Sequence, residues 1–342
     1  MTGTASGAEA LVLHAPAKLN LGLRLMGRRA DGYHLLESIF APIDLCDEVE
    51  IELLPGARQI ELEVSMDRDA ALPPALGGIT SGPDNLAFRA ATAFCEAHTL
   101  DARIRIRLRK AVPAAAGMGG GSSDAAAVLT GLSILAGTPL SDPELEGLAA
   151  GLGADVPFFL SSRPAHVSGI GEVIVPLDES PVGPLILANP GISLDTTEVY
   201  RAADALGSAL TEPEAGSTMR AFSRLCGENG GLRDDFASAQ SLWEALLVND
   251  LEPAALRLCP PVGRLLAEMR EAGAIGAAMT GSGATVFGVF ESQADRARAL
   301  DELRSTGNRA GASDRRSIEK NESEAVESAA VQGRWVRAAD FL

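Results

Sequence analysis

The chain has 342 residues, 46% of them hydrophobic and 22% charged, a composition that folds and that excludes a disordered or low-complexity chain. Its formal charge of −17 argues against a nucleic-acid partner, because a phosphate backbone is bound by basic surfaces and repelled by this one. No apolar run approaches the roughly 18 residues that a membrane span needs, and a chain of this length is expected to form two lobes with a cleft between them.

The first fifteen residues lack a basic start followed by an apolar core, so no secretory leader is read there. Leu11 to Met26 alternates, with Leu19, Leu21, Leu23 and Leu25 on one side and Lys18, Asn20, Gly22 and Arg24 on the other, which predicts a strand with one wet face. The turn signal GRRADG (Gly27 to Gly32) follows, then Tyr33 and His34, then strand-like stretches at Val49 to Leu54 and Ile60 to Val64. Asp84 is placed to cap a helix running to about Ala97, and Arg103 to Lys110 alternates Arg with Ile and Leu as a half-exposed strand. A glycine-rich loop comes next, and from Ser122 the chain turns Ala-rich, with Val128, Leu129, Leu132 and Leu135 at helical spacing. A further helix starts at Ser141 to Pro143 and ends at the GLGAD turn, ahead of the apolar run Val156 to Leu160.

Short strands are predicted near Ala165 to Val167, Glu172 to Val175 and Leu185 to Ala188. Helices are predicted around Phe236 to Leu247 and Val262 to Ala272, before two strands joined through the turn Thr280 to Gly283. Ser305 to Gln332 is polar and aperiodic and reads as a mobile excursion, and Arg334 to Leu342 is a last apolar stretch. The mixture is α+β. Cys46, Cys95, Cys226 and Cys259 are scattered, with no CxxC pair and no histidine at ligand spacing, so neither a disulfide framework nor a zinc site is indicated. A soluble, cytoplasmic protein is expected.

The chemistry-bearing stretch is PAAAGMGGGSSDAAA: Pro113, Ala114, Ala115, Ala116, Gly117, Met118, Gly119, Gly120, Gly121, Ser122 and Ser123, running into Asp124. Its glycines remove side chains, so that backbone N–H groups can converge on anionic oxygens where a helix begins. The hydroxyls of Ser122 and Ser123 can cap that helix, bind phosphate or place a metal ion, and Asp124 complements the helix dipole. The spacing is not GxxxxGK[ST], which excludes the ordinary P-loop enzymes. Lysine is used only at positions 18, 110 and 320 against 26 arginines. Lys18 and Lys110 can therefore mark places that need a compact ammonium, although chance explains the count equally well. Lys110, at the entry to the loop, either neutralises nucleotide phosphates or simply ends its strand. Asp155, between a glycine-rich turn and an apolar run, has to be capped, paired or functional.

Four motifs in order, PAKLNLGLRLMGRRADGYHLLES, the glycine loop, GADVPFF at Gly153 to Phe159 and MTGSGATVFG at Met279 to Gly288, resemble the superfamily of galactokinase, homoserine kinase, mevalonate kinase and phosphomevalonate kinase. Within it, PAKLN, RADGYH, GADVPFF, NPGI (Asn189 to Ile192) and NDLEP (from Asn249) are most similar to the 4-diphosphocytidyl-2-C-methyl-D-erythritol kinases. That resemblance implies a two-domain α+β kinase with the active site between its domains. The N-terminal nucleotide-binding domain (9–168) would be of ribosomal protein S5 domain 2-like type, with a left-handed βαβ element. The C-terminal domain (169–342) would be ferredoxin-like, with a disordered insertion at 305–332 that does not fit the family.

The resemblance further implies ATP along the glycine loop as phosphoryl donor, with Mg²⁺ arriving on the nucleotide and no side chain assigned to the metal. The acceptor would be the 2-hydroxyl of 4-diphosphocytidyl-2-C-methyl-D-erythritol, a small-molecule substrate of non-mevalonate isoprenoid biosynthesis. Lys18 and Asp155 match the catalytic pair. Asn20, Tyr33, His34, Tyr200, Gly281, Ser282 and Gly283 match positions that bind substrate, the two tyrosines as an aromatic sandwich for cytosine and His34 as its neighbour. No membrane or nucleic-acid partner is implied, and a monomer or homodimer is expected. Two rivals remain: a mevalonate- or homoserine-type kinase with the same loop, and a non-catalytic ATP-binding sensor on the same scaffold.

Overall fold

The computed structural model describes residues 9–67, 70, 72–73, 76, 78–137, 141–207, 216–226, 236–313 and 334–342. Its spine is an antiparallel pair, β1 (Glu9–Arg28) and β2 (His34–Leu54), in register from Glu9 opposite Leu53 to Arg28 opposite His34. Register shifts at Pro16/Ala17, Leu21/Arg24 and Leu25/Gly27 bend this long ribbon. β1 follows one edge of β2, and the other edge is shared by β4 (Arg103–Lys110) and β5 (Ala165–Ser168). β3 (Gln59–Met66) runs parallel to β4, and β6 (Val173–Pro176) closes the far side of a six-stranded sheet ordered β3-β4-β2-β5-β6.

β4 shows how its sequence pattern folds. Ile104, Ile106 and Leu108 point into the core, while the alternate arginines form a charge ladder: Arg105 to Glu52 at 2.8 Å, Arg107 to Glu50 at 2.8 Å and Arg109 to Glu48 at 2.7 Å. Helix α1 (Leu86–His98), between β3 and β4, is capped by Asn85, whose side chain accepts from the Ala87 N–H, so the cap is Asn85 and not Asp84. Helix α2 (Gly120–Leu135) starts two residues before the expected Ser122. Its Val128, Leu129 and Leu132 join Phe94 of α1 over Val49 and Ile51 of β2. Helix α3 (Asp142–Leu152) carries the Ser141/Glu144 capping box, and the apolar run after GLGAD forms the short helix α4 (Val156–Ser161).

The second half is built on β7 (Pro184–Asn189), β8 (Gly276–Met279), β9 (Val286–Val289) and β10 (Trp335–Asp340), an antiparallel sheet ordered β10-β7-β9-β8. Counted within that sheet the order is 4-1-3-2 on a βαββαβ path, the ferredoxin-like arrangement. Between β7 and β8 lie α5 (Thr196–Leu206), α6 (Ser217–Cys226), α7 (Phe236–Leu246), α8 (Glu252–Leu258) and α9 (Pro261–Glu271), and α10 (Gln293–Ser313) follows β9.

Two boundaries differ from the sequence reading. β6 hydrogen-bonds to β5, so a division after residue 168 would cut a hairpin and the first sheet ends after residue 176. α10 continues through Ser313, past the expected break at 305, and residues 314–333 lie outside the described ones.

The two sheets share a core, in which Leu19, Leu21, Ile39 and Ile43 of the ribbon meet Leu185, Leu187, Trp243 and Phe287. A correction falls on β1: the expected wet face is not wet. Lys18 and Asn20 are each only 4% exposed, because the glycine loop, Phe40, Asp155 and the Thr280 turn gather over that face, opposite the one packed on the second sheet, and make it the wall of a cleft. All four cysteines are free thiols, and among the described residues no helix is long and apolar enough to cross a membrane.

Lys110 is resolved as a structural residue. It is 2% exposed, and its ammonium is held by Asp47 of β2 and by Asp124 of α2 at 2.6 Å, so it is turned away from the open side of the loop. Asp124 is therefore a buried ion-pair partner and not a solvated dipole complement. One ammonium serves two carboxylates. Asp47 is the better satisfied, since its Oδ1 also accepts the N–H groups of Ala111 and Val112 at 2.6 and 2.8 Å. Asp124 has an unpartnered Oδ1, and burial pushes it up to about 7 against the pull of Lys110. Burial also acts to lower the Lys110 pKa, but Asp124 and Asp47 together outweigh it and hold it above the ordinary lysine value.

The cluster ties β2, the end of β4 and the second turn of α2 together directly behind the glycine loop. Lys110→Met leaves two buried carboxylates with no cation, so chemical denaturation at neutral pH should show a loss of about 3–5 kcal/mol. The loss should shrink as the pH falls and the carboxylates protonate.

Candidate active site

The two sheets enclose a cleft of about 800 Å³, lined by residues from both halves. Its floor is Lys18, held by three neighbours: the ammonium donates to Asn20 Oδ1, sits 4.3 Å from the centre of the Phe40 ring, and lies 3.7 Å from Asp155 Oδ2. Asn20 is fixed in turn by its amide, which donates to Ser38 Oγ at 3.2 Å, and by its backbone N–H, which donates to Thr280 Oγ1 at 3.0 Å. Burial lowers the Lys18 pKa below the usual lysine value, and Asp155 opposes that shift.

Asp155 occupies the N-cap position of α4 but makes no capping hydrogen bond, and its side chain is 34% exposed on the cleft wall. A turn-capping role is thereby excluded, and the carboxylate is left beside the ammonium with room for a third group. Such a pair can accept a hydroxyl proton and neutralise charge on a transferring group.

The glycine loop crosses above this pair. Ala116 and Met118 anchor it, 2% and 1% exposed in the shared core, while Gly117 and Gly119, which alternate with them, face the cleft. Both glycines are required. Each has a positive φ, and a Cβ on Gly117 would stand 2.3 Å from the Thr280 carbonyl oxygen, while one on Gly119 would stand 2.8 Å from the Phe159 ring. Gly119 is the N-cap of α2, so the loop delivers the first-turn N–H groups and dipole of a 16-residue helix to the cleft.

The turn Thr280 to Gly283 lies directly against this loop. Thr280 Oγ1 donates to the Gly117 carbonyl at 3.3 Å, and Asn249 Nδ2 donates to the carbonyls of Met279 and Gly281 at 2.8 and 2.9 Å. Gly281 and Ser282 line the cleft, with the Ser282 hydroxyl hydrogen-bonded to Thr196 at 2.9 Å.

Three rings stand on the cleft wall, on the turn after β1 and on α5. Tyr33 is 62% exposed on the turn between β1 and β2, and His34 next to it packs against Tyr200 of α5 with ring centres 5.0 Å apart and planes tilted by 33°. Burial, helped by Asp155, pushes the Tyr200 phenol up to about 12, so it stays a hydrogen-bond donor at neutral pH.

The structure thus gathers Lys18, Asn20, Tyr33, His34, Gly117, Gly119, Asp155, Tyr200, Gly281 and Ser282 around one space. Around the loop, Ala114, Ala115, Gly121 and Ser122 reach the surface, whereas Pro113, Gly120 and Ser123 are buried. Ser123 is a further correction. Its N–H is spent on the Gly119 carbonyl and its hydroxyl is enclosed without a partner, so it presents no group to a phosphate. Gly283 supports the turn through its N–H to the Thr280 carbonyl and does not line the cleft.

Residues that motif reading missed are Ser38, Phe40, Thr196, Thr280 and Asn249, which hold the pair and the two glycine turns in place. Asn249 had a signal, since it opens NDLEP. Ser38 and Thr280 also lie within the first and fourth motifs, while Phe40 and Thr196 sit in ordinary strand and helix-start positions.

The chain is similar to proteins of one known family. The family descriptions GHMP kinases N terminal domain and GHMP kinases C terminal match residues 85–163 and 220–309. The 4-diphosphocytidyl-2-C-methyl-D-erythritol kinase of Symbiobacterium thermophilum is 41% identical over 290 residues, covering 84% of this chain and 93% of that protein. The same enzyme of Geobacter sulfurreducens is 37% identical over 294 residues, covering 86% and 95%.

A crystal structure of 4-(cytidine 5'-diphospho)-2C-methyl-D-erythritol kinase superposes with a TM-score of 0.69 at 31% identity, covering 97% of this chain and 99% of that one. Mevalonate kinase of L. major, at 17% identity and a TM-score of 0.65, covers 89% and 94% and shares the fold. Both the sequence and the fold therefore place this chain in the GHMP kinase family, among the 4-diphosphocytidyl-2-C-methyl-D-erythritol kinases.

Proposed function

We propose that this chain transfers the γ-phosphoryl group of ATP to the 2-hydroxyl of 4-diphosphocytidyl-2-C-methyl-D-erythritol, releasing ADP, in cytoplasmic biosynthesis of isoprenoid precursors. The observation that carries the reading is a single cleft holding a Lys18–Asp155 pair at one place and the Tyr33, His34 and Tyr200 rings at another, beside a glycine-walled helix start. The rings suit a substrate with a flat base, and the pair suits its reacting alcohol. The relatives named for this reaction support the same substrate.

In the step itself, the acceptor hydroxyl oxygen bonds to the γ-phosphorus as the bond to the ADP oxygen breaks, and the hydroxyl proton passes to the Asp155 carboxylate. Lys18 draws off negative charge from the transferring group, and the first-turn N–H groups of α2 hold the nucleotide phosphates. Among the described residues no group of three or more His, Cys, Asp or Glu side chains is placed to hold a metal ion. Magnesium would enter with the nucleotide, as part of the MgATP substrate, because it neutralises the ATP phosphates. The free thiols fit a reducing compartment. A mevalonate- or homoserine-type acceptor would leave the ring cluster without a purpose, and a non-catalytic sensor would leave the Lys18–Asp155 pair without one.

Three outcomes follow. Purified protein given ATP should phosphorylate the cytidylyl substrate, with product identified by mass, and should leave mevalonate and homoserine untouched; turnover with either of those instead would reassign the acceptor. Asp155→Asn should lower kcat by about 100-fold or more, with the KM for ATP within about threefold of wild type, in steady-state assays. Because burial lowers the Lys18 pKa, the charged form is lost as pH rises through a value below the ordinary lysine range. The alkaline limb of the kcat/KM profile should fall there, and should move upward in Lys18→Arg, whose guanidinium keeps its proton.

A further inference from the structure

His34 makes a contact that the proposed chemistry does not use. Its Nε2 lies 2.6 Å from Asp204 Oδ1, across the cleft from the β1–β2 turn to α5. Asp204 is four residues after Tyr200 on α5, so both stand on one face of that helix and meet the same imidazole, Tyr200 by its ring and Asp204 by its carboxylate. Arg28 secures the other carboxylate oxygen, its Nη1 lying 3.4 Å from Asp204 Oδ2, while its Nε donates to the Gly32 carbonyl at 2.8 Å. The His34 side chain is 8% exposed, so its orientation is set by these neighbours and not by solvent. Asp204, Arg28, His34 and Tyr200 all line the cleft.

A neutral imidazole has one N–H donor and one bare acceptor nitrogen. An ionised carboxylate can only accept, so a short contact to Asp204 requires the proton on Nε2. Nδ1 then becomes the acceptor, and it has no hydrogen-bond partner among the described residues.

We infer that Asp204 is a positioning residue for base selection: by fixing the Nε2–H form of His34 it leaves an acceptor on the cleft wall that matches the 4-amino donor of cytosine and rejects the 4-oxo group of uracil. The mismatch would set two acceptors against each other in a partly desolvated site, where an unsatisfied pair is disfavoured more than a good bond is favoured. The inference rests on the proposed function for the presence of a pyrimidine base. The assignment of Asp204 and of the selecting tautomer goes beyond it.

The test uses the full-length chain at a pH where the imidazole is neutral, with CDP and UDP as probes. Wild type should bind CDP about tenfold or more tightly than UDP by calorimetry. Asp204→Leu should weaken CDP while leaving UDP within about threefold, so that the preference collapses, and Asp204→Asn should lie between. A merely structural role would weaken both probes alike, and that result overturns the inference.

A second readout needs no variant. With only four histidines in the chain, ¹⁵N-resolved NMR of wild type should show His34 protonated on Nε2; protonation on Nδ1 overturns the inference even if Asp204→Leu does not fold. If wild type phosphorylates the cytidylyl substrate yet binds CDP and UDP equally, the base-selection step alone fails. If it neither phosphorylates that substrate nor binds CDP, the proposed function fails and the inference falls with it.

Discussion

A lysine ammonium taken out of water is stable only where protein groups replace its hydration, and the cleft is organised around meeting that requirement for Lys18. Asn20 and Asp155 supply the polar contacts and the Phe40 ring supplies a face. These neighbours come from β1, β2 and the start of α4, so satisfying one charge fixes three elements relative to one another. Thr280, from the other sheet, then locks Asn20 by its hydroxyl. The same contacts that make burial tolerable also hold the ammonium beside a carboxylate that performs no capping duty.

Lys110 answers the same physical problem differently. Its ammonium is enclosed between two carboxylates and turned away from the cleft, which makes it a tie between β2, β4 and α2. The chain thus has two buried lysines in its first half, one facing the cleft and one bracing the loop behind it. What separates them is the geometry of their acidic partners: Asp155 remains a third exposed, while Asp47 and Asp124 are closed in.

The glycine loop and the Thr280 to Gly283 turn depend on each other at close range. Gly117 and the Thr280 carbonyl approach so closely that a methyl group would not fit, and Asn249 holds the second turn through two of its carbonyls. Neither turn keeps its shape by local conformation alone. The cleft is therefore a property of the two sheets packed together, with Leu19, Ile39, Trp243 and Phe287 supplying the common core.

Much of this was legible in the residues. Alternation along β4, the capping box before α3, the glycine run and the hairpin through Thr280 each express a rule that acts over a few neighbouring residues, so each could be read locally. The ordered motifs also singled out Lys18, Asp155 and the ring positions, which the fold brings to one cleft. The same alternation misled at β1, where Lys18 and Asn20 look solvated, because a polar stripe facing a cleft and one facing water have the same period. Lys110 could not be assigned from its KxxP context, nor Asp124 from its helix position, because their partners are 63 and 14 residues away. Asp204 gave no signal at all, since its meaning comes from His34, 170 residues distant. The sequence by itself determined many of the elements and the family. Only the tertiary structure decided which charges are paired, buried or available, because ionic and hydrogen-bonding roles depend on distances that close when separate elements pack.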